Sequence, residues 1–125
     1  MSVFIDSDVV IEVLRGRDRA ILAQWSLLAA SPSPILVSPI TFAEVGAGAR
    51  AGELQTITQF FALLTCVVID QEIGGLAGEY LRQYSKSHNL KIADALIAAS
   101  AVQNQAALWT RNAKHYPMPD LSRHV

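Results

Sequence analysis

The stretch VFIDSD at residues 3–8 decides the fold, because three apolar residues run directly into a polar triplet. A short apolar run that ends at a turn is typical of a buried strand. Residues 9–14 then repeat apolar side chains at helical spacing, and this pattern stops at Gly16. The chain therefore opens with a strand, a carboxylate and a helix. Ligands of open α/β sheets bind beyond the carboxyl ends of the strands, which is where we expect Asp6.

The same alternation continues through the rest of the chain. Three more short apolar runs, at residues 35–37, 67–69 and 106–110, are predicted to be strands. Segments with helical spacing lie between them. Strands that alternate with helices indicate an α/β fold, with a parallel sheet covered by helices on both faces. The length suits one domain, which we predict to span residues 1–125.

Composition excludes several classes of protein. Half of the residues are hydrophobic, but no apolar run reaches the roughly 20 residues that cross a bilayer, and no signal peptide is apparent. We therefore expect a cytoplasmic protein. The lone Cys66, in an apolar run, is predicted to be a free thiol in the core. The net charge of −1 excludes nucleic-acid binding by bulk positive charge, so any RNA or DNA must bind at a local site.

Three carboxylates, Asp6, Glu44 and Asp94, interrupt apolar surroundings. Each has an ordinary explanation: Asp6 could cap the first helix, Asp94 could favour the positive end of its helix, and Glu44 could face solvent. However, the helix around Asp94 is apolar on every side, and a buried unpaired carboxylate is costly. The three acids together predict a shared cation. Hard oxygen ligands suit Mg²⁺ or Mn²⁺, which can activate a water and offset charge on a phosphodiester.

Four motifs occur in an order that resembles a PIN domain: FIDSDVVI at 4–11, SPITFAEVGAG at 38–48, IADALIAA at 92–99 and LWTRN at 108–112. More narrowly, the chain is similar to the VapC-type ribonuclease toxins of prokaryotic type II toxin–antitoxin pairs. The resemblance implies a three-layer α/β/α sandwich and an endoribonuclease that depends on Mg²⁺ or Mn²⁺, with transfer RNA as one substrate class. It also implies a homodimer and a VapB-type antitoxin whose C-terminal segment lies across the active-site groove.

The resemblance also implies roles for single residues. By position in the motifs, Asp6, Glu44 and Asp94 match the acidic metal ligands, and Ser7 and Thr110 match hydroxyl groups near the metal. Together with these acids and Thr110, Asn112 completes the predicted catalytic set, although many members carry a fourth acid at its position. This departure leaves open whether one metal ion or two are bound.

A second group of residues is predicted to bind the substrate. Arg111, Lys114 and His115, together with Ser7, could bind phosphates at the rim of the site without reading the RNA sequence. The alternative for the basic residues is ordinary solvated surface. His115 also falls at a position that is often acidic in the family. Asp8 is expected to cap the helix or orient other groups rather than to bind metal.

Three alternative functions remain open at this point. A receiver-like phosphoacceptor domain would use Asp6, Asp8, Asp70 and Thr110, but Asp70 is also placed to cap the helix that follows it. A phosphatase could use the two acids at residues 6–8. A PIN fold that binds RNA or a partner without cutting is the third alternative, because the fourth acid is missing.

Overall fold

The computed structural model describes residues 1–124, and Val125, the last residue of the predicted domain, lies outside the described residues. Within residues 1–124 a sheet of four parallel strands is flanked by six helices. The strands are β1 (Val3–Ile5), β2 (Ile35–Val37), β3 (Thr65–Cys66) and β4 (Ala107–Trp109). The helices are α1 (Ser7–Arg15), α2 (Arg19–Ala30), α3 (Pro39–Ala47), α4 (Leu54–Phe61), α5 (Gln71–Tyr84) and α6 (Ile92–Gln103). The predicted α/β fold with a parallel sheet is confirmed.

The sheet is covered on both faces, as the three-layer prediction requires. Neighbouring side chains of a strand point to opposite faces. In β1, Phe4 joins the core cluster formed with α5 and α6. Val3 and Ile5 join the other cluster, to which α1, α2, α3 and α4 contribute. The central strands are therefore apolar on both faces, which explains why β1 reads as a continuous apolar run.

The strand order β3-β2-β1-β4 determines where a ligand can enter. The chain builds the sheet outward from β1 to β2 and β3, and then returns to place β4 on the other side of β1. A crevice opens at such a switch point, outside the carboxyl ends of the two strands. Asp6 follows β1, and its N–H donates to the carbonyl of Trp109 at 3.0 Å. Asp6 and Thr110 therefore lie side by side at the crevice.

Capping residues define the helices that border this edge. Asp6 caps α1 by accepting a hydrogen bond from the Ser7 N–H, and Gly16 ends α1 with a left-handed φ of 68°. Ser38 caps α3, with Pro39 as the first helical residue. These boundaries confirm the helix start and stop signals in the sequence.

Two predictions about the third strand are wrong. The strand lies at Thr65–Cys66 rather than at residues 67–69, and Cys66 is exposed rather than in the core. The reason is the length of β2, which ends at Val37 because Ser38 begins α3. The Val37 carbonyl accepts a hydrogen bond from the Val67 N–H at 2.9 Å, so pairing stops there, and Val68 is 80% exposed.

The end of the described chain lies beside β4. The Leu108 N–H donates to the Ser122 carbonyl, and the His124 N–H donates to the Leu108 carbonyl. Leu108 and Arg123 form an isolated parallel bridge, so the tail of the described chain adds a bridge and not a fifth strand to the sheet. Across residues 1–124, none of the helices combines the length and the apolar character that a membrane crossing requires.

Candidate active site

Asp6 is the centre of the crevice between β1 and β4. Asp6 is only 6% exposed, and its carboxylate accepts three hydrogen bonds. Oδ1 accepts from the Ser7 N–H at 2.7 Å, whereas Oδ2 accepts from the Thr110 hydroxyl at 2.8 Å and from the Tyr116 hydroxyl at 3.0 Å. Asp6 therefore caps α1 and binds two hydroxyl groups at once.

Tyr116 links Asp6 to Asp94. Its ring is buried, and its hydroxyl lies 3.5 Å from Asp94 Oδ1 as well as 3.0 Å from Asp6 Oδ2. Asp94 is half-buried in the first turn of α6, where its Oδ2 also accepts from the Lys91 N–H at 3.2 Å. The contact with the Lys91 N–H supports a role for Asp94 at the start of its helix, and the contact with Tyr116 supports a role in the site. Two of the three predicted acids meet at one phenol oxygen.

Ser7 links the third acid, Glu44, to the same edge. The Ser7 hydroxyl donates to Glu44 Oε1 at 2.6 Å and lies 2.9 Å from the Thr41 hydroxyl. Because Ser7 has one hydroxyl proton and gives it to Glu44, the Thr41 hydroxyl donates to Ser7. Glu44 is exposed, so it stands at the rim of the crevice on α3 while Asp6 lies at its floor.

Asp8 binds the turn that follows β4. Its Oδ2 accepts from the Arg111 N–H at 3.0 Å and lies 3.4 Å from the Thr110 hydroxyl. Its Oδ1 is buried and has no hydrogen-bond partner among the described residues. Asp6, rather than Asp8, caps α1. Asp8 therefore orients the Thr110–Arg111 turn, in agreement with the orienting role expected for it, and leaves one carboxylate oxygen unpaired.

Burial and mutual repulsion control the ionisation of these groups. Burial, followed by the nearby Asp8 carboxylate, raises the pKa of Asp6 to about 6, although its three hydrogen-bond donors lower it. Burial also raises the pKa of Asp8. The pKa of Tyr116 is raised by burial and then by the Asp6 and Asp94 carboxylates, so its hydroxyl keeps its proton and acts as a donor. The crevice holds more negative charge than its own donors stabilise.

The donor atoms fit a hard divalent cation. All of them are carboxylate or hydroxyl oxygens, the ligands that suit Mg²⁺ and Mn²⁺. In the part of the chain that the structure describes, no three His, Cys, Asp or Glu side chains are close enough to hold one ion together. Mg²⁺ does not need such a cage, because it keeps several waters and binds through one or two carboxylates. The unpaired Asp8 oxygen and the raised pKa of Asp6 indicate a site that a cation would stabilise.

The predicted residues of the turn after β4, which are Arg111, Asn112, Lys114 and His115, have different environments. The Arg111 guanidinium lies 3.2 Å from Glu12 Oε1. Asn112 contributes its backbone N–H, which donates to the Thr110 hydroxyl at 3.0 Å, while its side chain is exposed. Lys114 is exposed, and His115 is half-buried with an Nδ1 atom that has no partner within residues 1–124. The structure thus links Asp6, Ser7, Glu44, Asp94 and Thr110 through hydrogen bonds, although the three acids among the described residues are not close enough to share one ion directly. The side chains of the turn are not part of this network.

Two residues of the site were not singled out in the sequence. Tyr116 lies in a tail interrupted by two prolines, where no periodic pattern marks it. The available signal was chemical, because a buried tyrosine hydroxyl usually needs a polar partner. Glu12 is also buried, at four positions after Asp8 on the same face of α1. An acid within the apolar pattern of a helix was the signal for Glu12.

Asp70 does not belong to this crevice chemistry. Its Oδ1 accepts from the Ile73 N–H at 2.9 Å and caps α5, so the capping explanation for Asp70 is confirmed. A receiver-like domain needs this carboxylate as its phosphoacceptor, and it would leave Glu44 and Asp94 without a role. The contacts therefore favour the set of acids around Asp6.

Comparisons with known proteins agree with this geometry. The family model described as the PIN domain matches residues 3–120. The chain is 33% identical to Ribonuclease VapC10 of Mycobacterium tuberculosis over 117 residues, which cover 93% of this chain and 86% of that relative. It is also 33% identical over 119 residues to Ribonuclease VapC19 of the same organism, with 94% of each chain covered.

Solved structures give the same result for the fold. A toxin–antitoxin complex from Klebsiella pneumoniae contains a chain that is 26% identical, with a TM-score of 0.76 and coverage of 95% of this chain and 94% of that chain. VapBC-1 from nontypeable Haemophilus influenzae has a TM-score of 0.81 at 23% identity, covering 99% and 97% of the two chains, and this likeness concerns the fold alone. The match over residues 3–120 and the curated relatives establish that the chain belongs to the PIN domain family.

Proposed function

We propose that this protein is a metal-dependent endoribonuclease and the toxin of a VapBC-type toxin–antitoxin pair. The observation that carries the proposal is the meeting of Asp6 and Asp94 at the Tyr116 hydroxyl, at the switch point of the sheet. Two similar proteins are named as ribonucleases, and these names support cleavage of RNA as the reaction. The site would act on RNA in the cytoplasm.

Asp6 and Asp94 are the residues that would hold Mg²⁺ or Mn²⁺, and Glu44 at the rim would contact a water of the ion rather than the ion itself. The raised pKa of Asp6 and the unpaired oxygen of Asp8 support a cation here. When bound, such an ion orients a water, lowers the pKa of that water and offsets charge on the phosphodiester. Asn112 presents only its backbone to Thr110, so it would not replace a fourth acidic ligand without a rotation of its exposed side chain.

The other side chains position these acids. Thr110 donates to Asp6 and in turn accepts from the Asn112 N–H, which fixes the direction of its proton. Ser7 holds Glu44 towards the crevice, and Tyr116 keeps the two inner carboxylates apart while its proton lies between them. Positioning and electrostatics of this kind contribute most of the rate in many hydrolytic sites.

The rim offers positive charge to the RNA backbone. Arg111 and Lys114 are exposed, and His115 is half-buried, in the turn next to Asp8. Side chains of this type contact phosphates and fix the position of the strand without reading its sequence. Ser7 is expected to contact the substrate from the other side of Asp6.

A VapB-type antitoxin is the proposed protein partner, and the toxin itself is proposed to be a homodimer. The Klebsiella structure is a toxin–antitoxin complex, which supports the antitoxin as a partner. A groove of about 650 Å³ between α1, α3 and α4 includes Glu44 among its lining residues. A segment of the antitoxin in this groove would reach Glu44 at the rim of the crevice. The exposed apolar side chains of Phe42, Leu63 and Val68 provide further contact surface.

Cleavage of cellular RNA tests the proposal. Purified parent protein with Mg²⁺ or Mn²⁺ is expected to produce new RNA ends, which sequencing would locate, and chelation with EDTA should stop the reaction. Asp94→Asn should lose at least about 100-fold in rate, a typical effect of removing one electrostatic group. Asp18→Asn, the same change at the cap of α2 outside the crevice, is the matched control.

Two outcomes would overturn the proposal. Intact RNA after incubation of the parent with either cation would exclude a nuclease, and RNA binding without cleavage would then identify a binding protein. Cleavage by Asp94→Asn at the rate of Asp18→Asn would show that the acid at α6 has no part in the reaction.

A further inference from the structure

Three arginines surround one buried carboxylate at the side of the crevice. The Glu12 side chain on α1 is 10% exposed, and its Oε1 lies 3.2 Å from Arg111 Nη1, 3.5 Å from Arg15 Nη1 and 3.9 Å from Arg17 Nη2. We call Arg15, Arg17 and Arg111 the arginine cluster. The catalytic proposal uses Arg111 only as part of a rim and gives no role to Glu12, Arg15 or Arg17.

The local sequence explains why the cluster forms. Arg15 is three residues after Glu12 and lies on the same side of α1. Gly16 then adopts a left-handed conformation with φ of 68°, which reverses the chain and returns Arg17 to Glu12. Arg111 arrives from the turn after β4. Helical spacing therefore brings Arg15 to Glu12, and the turn at Gly16 brings Arg17 to the same carboxylate.

The charges of the cluster do not balance. Three guanidinium groups face one carboxylate, and the arginine side chains remain 48%, 55% and 69% exposed. Arg111 also contacts the Asp8 carboxylate, so when both carboxylates are counted one positive charge remains available to an anion from solution. Arginine is suited to such an anion, because its planar fork matches phosphate oxygens in two parallel hydrogen bonds. This local excess stands out in a chain with a net charge of −1.

The cluster is connected directly to the crevice. Arg111 donates its backbone N–H to Asp8 and presents its guanidinium to Glu12, so one residue joins both carboxylates. Asp6, the cap of α1, and Glu12 are six residues apart, which corresponds to about 9 Å along the helix axis. An extended nucleic-acid strand with one phosphate at Asp6 would therefore present a neighbouring phosphate to the cluster.

We infer that Arg15, Arg17 and Arg111, gathered by Glu12, form a binding site for an RNA phosphate that adjoins the phosphodiester to be cut. The inference rests on the proposed function and extends it to the path of the strand. It assigns the strand a direction across the surface, from the acids at the ends of β1 and β4 along α1 towards Gly16. Contacts of this kind position the RNA and are independent of its sequence.

Salt-dependent binding of RNA tests the inference without requiring catalysis. A short fluorescein-labelled single-stranded RNA would be titrated in EDTA at several salt concentrations, with anisotropy as the readout. The double variant Arg15→Gln/Arg17→Gln should bind more weakly than the parent, and its slope of log K against log salt should fall in magnitude by about 0.7, the value for one lost phosphate contact. Both side chains are more than half exposed, so the fold should survive, and thermal unfolding would verify this.

Arg82→Gln is the matched control. Arg82 is an exposed arginine in the last turn of α5, which packs on the opposite face of the sheet from α1. The Arg82→Gln variant should bind RNA with the same slope of log K against log salt as the parent protein. Equal slopes for the double variant and Arg82→Gln would overturn the inference, because only bulk charge would then matter. The inference would also be overturned if the double variant lost affinity for polyglutamate but not for RNA. The arginine cluster would then be assigned to the binding of an acidic protein segment.

A failure of the proposed nuclease function would give a different result from a failure of the arginine-cluster inference. In that case the parent would bind RNA with the expected dependence on the arginine cluster and yet leave it uncut in Mg²⁺ or Mn²⁺. Binding and cleavage therefore test the two proposals separately.

Discussion

Replacing Asp6 by asparagine should stabilise the protein when no metal ion is present. The folded structure raises the pKa of this carboxyl from an ordinary value of 3.8 to about 6, chiefly through burial and secondly through Asp8. A difference of about 2 pKa units, at about 1.4 kcal/mol for each unit, corresponds to about 3 kcal/mol. At neutral pH and above, the parent is destabilised by roughly this amount, and Asp6→Asn removes the cause.

The sign of the effect gives it a characteristic pH dependence. Between pH 3.8 and about 6, the carboxyl is ionised in the unfolded chain but still protonated in the folded one. The folded state therefore binds more protons, and stability falls as pH rises through this range. Below it, the parent and Asp6→Asn should differ little. The difference should grow through the range and then stay near 3 kcal/mol above about pH 7.

The hydrogen bonds around Asp6 should survive the change. Asparagine is as good a helix cap as aspartate, so its oxygen can still accept from the first N–H of α1. Its amide group can donate to the hydroxyls of Thr110 and Tyr116. These hydroxyls can then turn their own protons to Asp8 Oδ2, 3.4 Å from Thr110, and to Asp94 Oδ1, 3.5 Å from Tyr116.

Urea unfolding in EDTA, monitored by circular dichroism between about pH 4 and pH 8, would measure this difference. Asp18→Asn is the matched control, because Asp18 is also a helix cap, although it accepts from the Ile21 N–H at 3.1 Å rather than from the first N–H of its helix. It should change stability by less than about 0.5 kcal/mol. The reasoning is refuted if Asp6→Asn is no more stable than the parent at the highest pH, or if its advantage is the same at every pH.

Three further variants test other contacts of the crevice. Tyr116→Phe removes the hydroxyl shared by two carboxylates, and urea unfolding at about pH 8 should show a loss of about 2 kcal/mol; an unchanged stability would mean that the hydroxyl contributes nothing. Ser7→Ala removes the hydroxyl that binds Glu44, so RNA cleavage should slow while the free energy of unfolding changes by less than about 1 kcal/mol. Cleavage at the rate of the parent protein would contradict the role of this contact. Asp70→Ala removes the cap that binds the Ile73 N–H, and should cost about 1 kcal/mol with cleavage unchanged and no acetyl-phosphate labelling of the parent; labelling that requires Asp70 would instead favour a phosphoacceptor domain.

Local signals in the sequence were sufficient for most of the fold. The Asp6 cap and the stop at Gly16 depend only on neighbouring residues, and both agree with what the sequence indicated for the first helix. The buried strands β1 and β4 were marked by their apolar runs, since both faces of a parallel sheet are covered. Alternation of these elements then predicted the layers of the fold.

The third strand shows where local signals fail. Residues 67–69 are more apolar than Thr65–Cys66, yet the strand forms at Thr65–Cys66. Pairing at an edge is decided by the length of the neighbouring strand, and β2 ends at Val37 because a helix begins at the next residue. The exposure of Cys66 follows from the same cause. Neither fact is encoded near residue 66.

The candidate site was predictable to a similar extent. Carboxylates amid apolar residues marked Asp6, Glu44 and Asp94, and the structure connects them through Ser7 and Tyr116. The roles of these residues in catalysis stay predictions. Tyr116 escaped notice because its importance depends on a contact with a residue 110 positions earlier, which no local pattern can reveal.

That long separation has a consequence for synthesis of the protein on the ribosome. Asp6 leaves the ribosome early, but its partners Thr110 and Tyr116 follow 104 and 110 residues later. A growing chain therefore carries the first acid, over the synthesis of about a hundred residues, without the hydroxyls that position it. Loops of this length also close slowly compared with local contacts. The cell that makes this protein would thus contain an assembled crevice only after Tyr116 has been released from the ribosome and has folded against Asp6.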